Sequence, residues 1–244
     1  MIKVEKLSKV FKEVKAVDEI SFVINEGEVV GLLGENGAGK TTTLRMLATM
    51  IKPTSGTATM GEYDIINNPD KVRGEIGILF GGEVGLYDRL TAKENIRYFG
   101  ELNGMSKKEI EDSINDLCEA FEMKEYINRR VGKFSRGMKQ KVAIARSIIH
   151  KPKIMLFDEP TTGLDVTASK IVQDFILRCK NEGKAIILSS HSMQEVERLC
   201  DRIIIIHKGR IVEEGTIDYL KEKYNDNDME SIFMNLVGDN NEHN

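Results

Sequence analysis

The sequence predicts an α/β fold built on a buried parallel sheet, and three observations carry that prediction. Short apolar runs recur: Glu28-Val29-Val30-Gly31-Leu32-Leu33, Ile154-Met155-Leu156-Phe157, Ala185-Ile186-Ile187-Leu188 and Ile203 to Ile206. Between them lie stretches whose apolar residues repeat with helical spacing. The chain has 244 residues, 41% of them apolar and 30% charged, enough for a core without disulfides or metals. A strand covered on both faces has no wet side, so it reads as continuously apolar instead of alternating.

Taken in order, the stretch to Ile24 reads as two strands around a turn near Lys12-Glu13. The run from Glu28 is the first core strand. After it, Leu44, Leu47, Ala48 and Ile51 stand at i, i+3, i+4, i+7, one face of a helix that Lys52-Pro53 stops. From about Leu90 to His150 the pattern is helical throughout. Thr91 with Glu94, and Ser106 with Glu109, have capping-box spacing. Ile96, Phe99 and Leu102 follow the first cap. Ile110, Ile114, Leu117, Cys118 and Phe121 follow the second. Met138, Val142, Ala145 and Ile149 share the face of a third helix. A helical subdomain, about residues 88–150, is thus expected to be inserted in a single domain spanning 1–220. Lys208-Gly209 turns the Ile203–Ile206 strand into Arg210-Ile211-Val212 as a hairpin. Residues 221–244 form a C-terminal tail, rich in Asn and Asp from Tyr224 onward, and that part is expected to be mobile. Within it, Ile232, Phe233, Leu236 and Val237 predict one short amphipathic helix.

Charge and cysteine content exclude several function classes. The 35 basic residues against 39 acidic ones leave no nucleic-acid footprint. No apolar run approaches the ~20 residues that span a bilayer. Met1-Ile2-Lys3-Val4-Glu5 lacks the apolar segment of a secretion signal, so a cytosolic chain that meets a membrane only through a partner is expected. Three scattered cysteines, Cys118, Cys179 and Cys200, with no C-x-x-C pair, argue against a disulfide framework or a zinc ribbon. They read as core thiols on apolar helical stripes.

The chemistry begins at Gly34-Glu35-Asn36-Gly37-Ala38-Gly39-Lys40-Thr41, which matches G-x-x-x-x-G-K-[ST]. A buried strand precedes it and a helix follows. Glycines let backbone N–H groups close around phosphate oxygens where side chains would block approach. The helix N-terminus adds about half a positive charge there. Lys40 can reach the β- and γ-phosphates, and the Thr41 hydroxyl can ligate Mg²⁺. Mg²⁺ needs a further oxygen ligand. The Ile154–Phe157 strand ends in Asp158-Glu159, and a carboxylate at the C-terminal end of a parallel strand faces the ligand crevice. Asp158 is the natural metal carboxylate. Glu159, one residue on, can take a proton from the attacking water. His191 follows the third strand and faces the same edge, where it can contact the γ-phosphate. Ser135 and Gly137, at the start of the third helix, form a weaker anion site.

These ordered motifs resemble those of ATP-binding subunits of ABC transporters, over about residues 2–220. Gly34–Thr41 resembles the Walker A loop, Ile154–Glu159 the Walker B strand with its catalytic Glu, Thr162-Gly163-Leu164-Asp165 the D-loop and His191 the switch histidine. Phe11 falls where the family stacks an aromatic on adenine, and Phe134-Ser135-Arg136-Gly137-Met138 falls at the signature loop. The resemblance implies a P-loop NTPase (RecA-like) parallel-sheet core with an N-terminal antiparallel β subdomain and an inserted α-helical subdomain. It implies ATP and Mg²⁺ as cofactors, with Glu159, His191 and Lys40 catalytic. The implied nucleotide contacts are Phe11, Gly34, Asn36, Gly37, Ala38, Gly39, Lys40, Thr41 and Thr42, and the metal ligands Thr41 and Asp158. It further implies a head-to-tail homodimer, each chain lending Ser135 and Gly137 to the other's γ-phosphate. An integral-membrane permease would hold the pair at the cytoplasmic face of the cell membrane.

The chain departs from the family twice. The signature has Arg136 and Met138 where Gly and Gln are usual. The stretch Phe80-Gly81-Gly82-Glu83-Val84-Gly85-Leu86-Tyr87 carries no Gln where the Q-loop has one, and Glu83 is the nearest electrostatic substitute. The run on to Asp88-Arg89-Leu90-Thr91 resembles the NatA-type branch, associated with sodium extrusion and also containing drug and antibiotic exporters. The alternative is a soluble ABC-type ATPase acting on chromosomes or ribosomes; such relatives usually carry long coiled-coil insertions or two tandem cores, and these residues show neither. A third reading is a small-molecule kinase or a GTPase on the same phosphate loop, though no guanine-reading N-K-x-D sequence is present.

Overall fold

The computed structural model describes residues 1–80 and 85–238. The Gly81–Val84 run, with Glu83, lies outside them, as do residues 239–244. The first two strands, β1 (Ile2–Phe11) and β2 (Val14–Ile24), pair antiparallel about the Lys12-Glu13 turn. Next come β3 (Val29–Leu33), α1 (Lys40–Leu47), β4 (Ser55–Met60), β5 (Tyr63–Asp64), α2 (Pro69–Glu75) and β6 (Ile76–Phe80). The helical insertion is α3 (Ala92–Leu102), α4 (Lys107–Ala120), a 3-10 turn at Val131–Lys133 and α5 (Arg136–Ile148). Then follow β7 (Ile154–Asp158), α6 (Val166–Asn181), β8 (Ala185–Ser190), α7 (Met193–Leu199), β9 (Arg202–His207) and β10 (Arg210–Gly215). The described chain closes with α8 (Ile217–Tyr224) and α9 (Met229–Gly238).

Two sheets result. The antiparallel one runs β2-β1-β4-β5, and the larger one β10-β9-β3-β8-β7-β6. In the larger sheet every pairing is parallel except the β9–β10 hairpin. Its central strands β3, β7, β8 and β9 are buried on both faces, and alternate residues feed two separate cores. Met155 and Phe157 of β7 join Ile186 and Leu188 of β8 on the face covered by the helical insertion. Ile154, Leu156, Ala185 and Ile187 face the other way, towards α1 and the antiparallel sheet. Each of these side chains larger than Ala contributes at most about 1.5–3 kcal/mol. A polar substitution at any of them would break one core directly.

Both expected capping boxes are present. Thr91 Oγ1 accepts the Glu94 N–H, Ser106 Oγ accepts the Glu109 N–H, and each Glu reaches back to its cap. The structure corrects three expectations. The helix after the glycine-rich loop ends at Leu47, not at Lys52-Pro53. Thr49 takes a left-handed conformation (φ 58°), and the Met50 and Ile51 amides fold back onto the Arg45 carbonyl. Ile51 still packs on the core, so its apolar spacing came from the turn. As far as Gly238, the Asn- and Asp-rich tail is docked. Asn225 ends α8 in a left-handed conformation, Asp228 accepts the amides of Glu230 and Ser231, and Met229, Ile232 and Val237 of α9 are buried. All three cysteines are buried, but Cys200 follows α7 instead of lying on a helical stripe. Among the described residues, no helix is long and apolar enough to cross a membrane.

Candidate active site

Strand β3 delivers the chain to Gly34 in the middle of the larger sheet. A Cβ at Gly34 would come within 2.4 Å of the Ile206 carbonyl oxygen, so the loop can pass β9 only as glycine. Gly39, at φ 111°, precedes α1, and a Cβ there would meet the Ala16 carbonyl oxygen at 2.5 Å. No side chain caps α1. Its first N–H groups therefore remain available to an anion, in the field of the helix N-terminus. The β9–β10 turn braces the loop, the Gly209 amide donating to the Ala38 carbonyl at 3.0 Å. Asn36 and Gly37 are exposed, and Thr41 and Thr42 are half-buried in the first helical turn.

Lys40 is buried and folds back across the loop. Its Nζ donates to the Gly34 carbonyl at 2.6 Å and the Glu35 carbonyl at 3.1 Å. Burial lowers its pKa from the ordinary lysine value, and the charges of Glu159 and Asp158 oppose that shift. The loop thus holds its lysine in place, with donors left for an incoming anion.

The acidic pair is placed by sheet register. Asp158 on β7 lies opposite Ser189 on β8. Asp158 Oδ1 accepts from the Ser189 hydroxyl at 2.6 Å and the Thr41 hydroxyl at 3.1 Å. Glu159 follows with φ 48°, a left-handed conformation that costs a non-glycine residue about 1–2 kcal/mol. Its amide donates to both the carbonyl and the hydroxyl oxygen of Ser189, each at 3.0 Å. This turn aims the carboxylate across the crevice. There Oε1 lies 4.0 Å from Lys40 Nζ, and Oε2 lies 3.4 Å from His191 Nδ1 and 3.3 Å from Thr162 Oγ1. His191 leaves the end of β8 with its side chain 60% exposed. Glycine-loop lysine, two carboxylates and histidine therefore converge because β3, β8 and β7 are neighbours in the sheet.

Other expected residues lie apart from this cluster. Ser135 caps α5, its Oγ accepting the Met138 amide at 3.3 Å, and Gly137 faces Ile171 of α6. Arg136 donates to the Gly163 carbonyl, joining the start of α5 to the turn before α6. Phe11 ends β1 at 46% exposure, with Lys9 Nζ 5.0 Å from its ring centroid. Sequence reasoning passed over two residues. Ser189 holds both acidic residues, a role visible only once the β7–β8 register is known. Phe233 of α9 walls a cavity of about 260 Å³ with Gly34, Glu35, Asn36 and His191. Its apolar spacing announced a helix but not a destination.

The donor set suits a hard divalent cation. Thr41 Oγ1 and Asp158 Oδ1 are neighbouring oxygens at the phosphate-loop mouth. Mg²⁺ takes one or two protein oxygens and fills its octahedron with water and phosphate. No cluster of three or more His, Cys, Asp or Glu side chains suited to an all-protein metal cage occurs among the described residues.

Comparison with known proteins agrees with this geometry. The ABC transporter family model matches residues 17–162. The ABC transporter ATP-binding protein NatA of Bacillus subtilis is 54% identical over 93% of this chain and 92% of its own. The bacitracin transport ATP-binding protein BcrA of Bacillus licheniformis is 38% identical over 91% of this chain and 72% of its own. The doxorubicin resistance ATP-binding protein DrrA of Mycobacterium tuberculosis is 37% identical over 92% and 67%. Among solved structures, an ATP-binding subunit of an ABC transporter superposes with a TM-score of 0.87 at 29% identity, covering 97% of this chain and 99% of that one. A dimeric ATP-binding cassette in a post-hydrolysis state, bound to ADP and Pi, superposes with a TM-score of 0.76 at 26% identity, covering 88% and 98%. With a phosphate loop, paired acids and histidine on a P-loop NTPase sheet, the chain belongs to the ABC transporter family as an ATP-binding, ATP-hydrolysing motor subunit.

Proposed function

We propose that the residues gathered at the ends of β3, β7 and β8 bind MgATP, cleave its γ-phosphate and so power export by a separate membrane permease. The observation that carries this is Glu159. One carboxylate lies between Lys40 and His191, beside the Thr41–Asp158 pair. Gly34, Asn36, Gly37, Ala38 and Gly39 form the loop around the phosphates, with Thr42 in the first turn of α1 behind it. Lys40 neutralises charge on the β- and γ-phosphates. Thr41 and Asp158 hold Mg²⁺, which when bound supplies further neutralisation. Glu159 orients water and takes its proton, worth about 10²–10⁴-fold in rate. His191 steadies the γ-phosphate, and Phe11, exposed at the end of β1, stacks on adenine.

Two copies pair head to tail, each bringing Ser135 and Gly137 to the other's nucleotide. Support comes from the outward-facing start of α5 and from the dimeric relative. ATP then bridges the two chains and hydrolysis removes the bridge, which biases a two-state equilibrium. The permease docks at a cleft of about 760 Å³ between α1, α2, β6, α3 and α5, where Met50, Ile78, Phe99, Leu102 and Arg146 line the wall. The chain is then peripheral to the membrane, on the cytoplasmic face, through its permease. Residues 1–220 act as one domain with the helical subdomain inserted, and nucleic acid is not a partner. Sodium is the cargo we favour, on the likeness to NatA. The likeness to DrrA and BcrA supports drug or antibiotic export as the second reading.

The test is co-purification followed by transport. Tagged chain is expected to carry a hydrophobic permease out of detergent-solubilised membranes. Inside-out vesicles with both proteins should accumulate radiosodium when given ATP, and not with the Glu159→Gln variant. Accumulation of a drug but not sodium would move the cargo to the second reading. Recovery of ribosomes or DNA instead of a permease would overturn the transport role.

A further inference from the structure

The His191 side chain is mostly exposed, and the contact the structure gives it is Glu159, whose Oε2 lies 3.4 Å from Nδ1. Its place therefore depends on the backbone beneath it. That backbone is tied on both sides to one residue, Glu195: Ser190 to its buried carboxyl group and Ser192 to its backbone amide. Ser190 is 3% exposed and donates its hydroxyl hydrogen to Glu195 Oε2 at 2.7 Å. The same hydroxyl oxygen accepts the Ser192 amide at 3.0 Å. Ser192 in turn caps α7, its Oγ accepting the Glu195 amide at 3.3 Å. Glu195 is 5% exposed, and its Oε1 is buried with no hydrogen-bond partner among the described residues.

A buried polar atom without a partner costs about 1–3 kcal/mol. If α7 needed only packing here, an apolar residue would serve better. What the carboxyl group supplies is a fixed Ser190 hydroxyl, which in turn holds the Ser192 amide on the far side of His191. We propose that Glu195 is a positioning residue for His191, clamping Ser190 and Ser192 so that the imidazole is held against Glu159. This rests on the reading of His191 as a γ-phosphate contact, and assigns the group that holds it there. Gln at 195 can still accept the Ser190 hydrogen through its amide oxygen, whereas Ala cannot. Ser190→Ala removes the other half of the clamp.

The experiment uses the full chain labelled with ¹³C-histidine, which has four histidines to resolve. His191→Ala assigns the resonance. Without nucleotide, the parent's His191 signal should respond to Glu159→Gln, because the two side chains touch. In Glu195→Ala and Ser190→Ala it should move to the position of an unstructured histidine and lose that response, and Glu195→Gln should restore both. Steady-state ATP hydrolysis should show kcat falling about 10- to 100-fold in the Ala variants, as misplacement by an ångström does. KM for MgATP should stay within about twofold, since binding is not the step removed. A native His191 signal in the Ala variants overturns the clamp whatever the turnover. A displaced signal with full turnover supports the clamp and overturns instead the catalytic reading of His191. Should Glu195→Ala not fold, Ser190→Ala is judged by the same criteria.

Discussion

Ser189→Ala isolates the link between sheet register and site geometry. Ser189 is fully buried, and its hydroxyl donates to Asp158 Oδ1 at 2.6 Å. A hydrogen bond to a charged group contributes about 1.5–3 kcal/mol. Here the loss falls in the lower half of that range, about 1.5–2 kcal/mol, because Asp158 Oδ1 keeps the Thr41 hydroxyl and the Glu159 amide keeps the Ser189 carbonyl. For a chain of this length each kcal/mol moves Tm by about 2–4 °C, so a fall of about 3–8 °C is expected. Asp158 also loses the partner that orients it towards Thr41, so the metal-dependent part of nucleotide binding weakens. Thermal unfolding with and without MgATP reads both effects, since ligand binding adds stability as RT ln(1 + [L]/Kd). The variant should melt lower and gain less from MgATP than the parent. A Tm within about 1 °C of the parent, with an unchanged MgATP response, would refute the reasoning.

Gly39→Ala forces a side chain into a left-handed φ and against the Ala16 carbonyl, so about 1–3 kcal/mol of strain should displace the loop and abolish MgATP-induced stabilisation, read by the same melts. Lys40→Met tests the buried ammonium. Its pKa is depressed on folding by burial, so the unfolded state binds the proton more tightly and the parent gains stability as pH climbs from the depressed value towards 10.5. The Tm difference between Lys40→Met and the parent should therefore shift in the parent's favour as pH rises, and a pH-independent difference would contradict the burial. Burial also raises the thiols, Cys179 to about 12 and Cys200 further, with Cys118 raised as well. A disulfide-exchange reagent at neutral pH should leave the folded chain unlabelled and titrate three thiols after denaturation, whereas prompt labelling of the native chain would show an open core.

Much of this molecule is legible from its residues alone, for physical reasons. The β3, β7 and β8 strands are buried on both faces, so they announce themselves as unbroken apolar runs. The phosphate loop is legible because the backbone route past Ile206 and Ala16 excludes every residue but glycine. Strand β4 is not legible: Ser55-Gly56-Thr57-Ala58-Thr59-Met60 has no local signature, and pairing with β1 and β5 makes it a strand. The α2 helix and β5 were hidden for the same reason, being short and held by neighbours. The role of Ser189 needed a strand register that no local pattern encodes, and the clamp at Glu195 needed the turn around His191. The departure from the usual signature becomes intelligible only in three dimensions, where Arg136 reaches the Gly163 carbonyl.

The central claim is that Glu159 activates water beside a nucleotide held by the phosphate loop. Its most direct test follows radiolabelled ATP on purified Glu159→Gln alongside the parent. The variant should retain stoichiometric, unhydrolysed ATP and favour a nucleotide-bound dimer, with phosphate release at least about a hundredfold below the parent. Phosphate release at the parent's rate would contradict the assignment of Glu159.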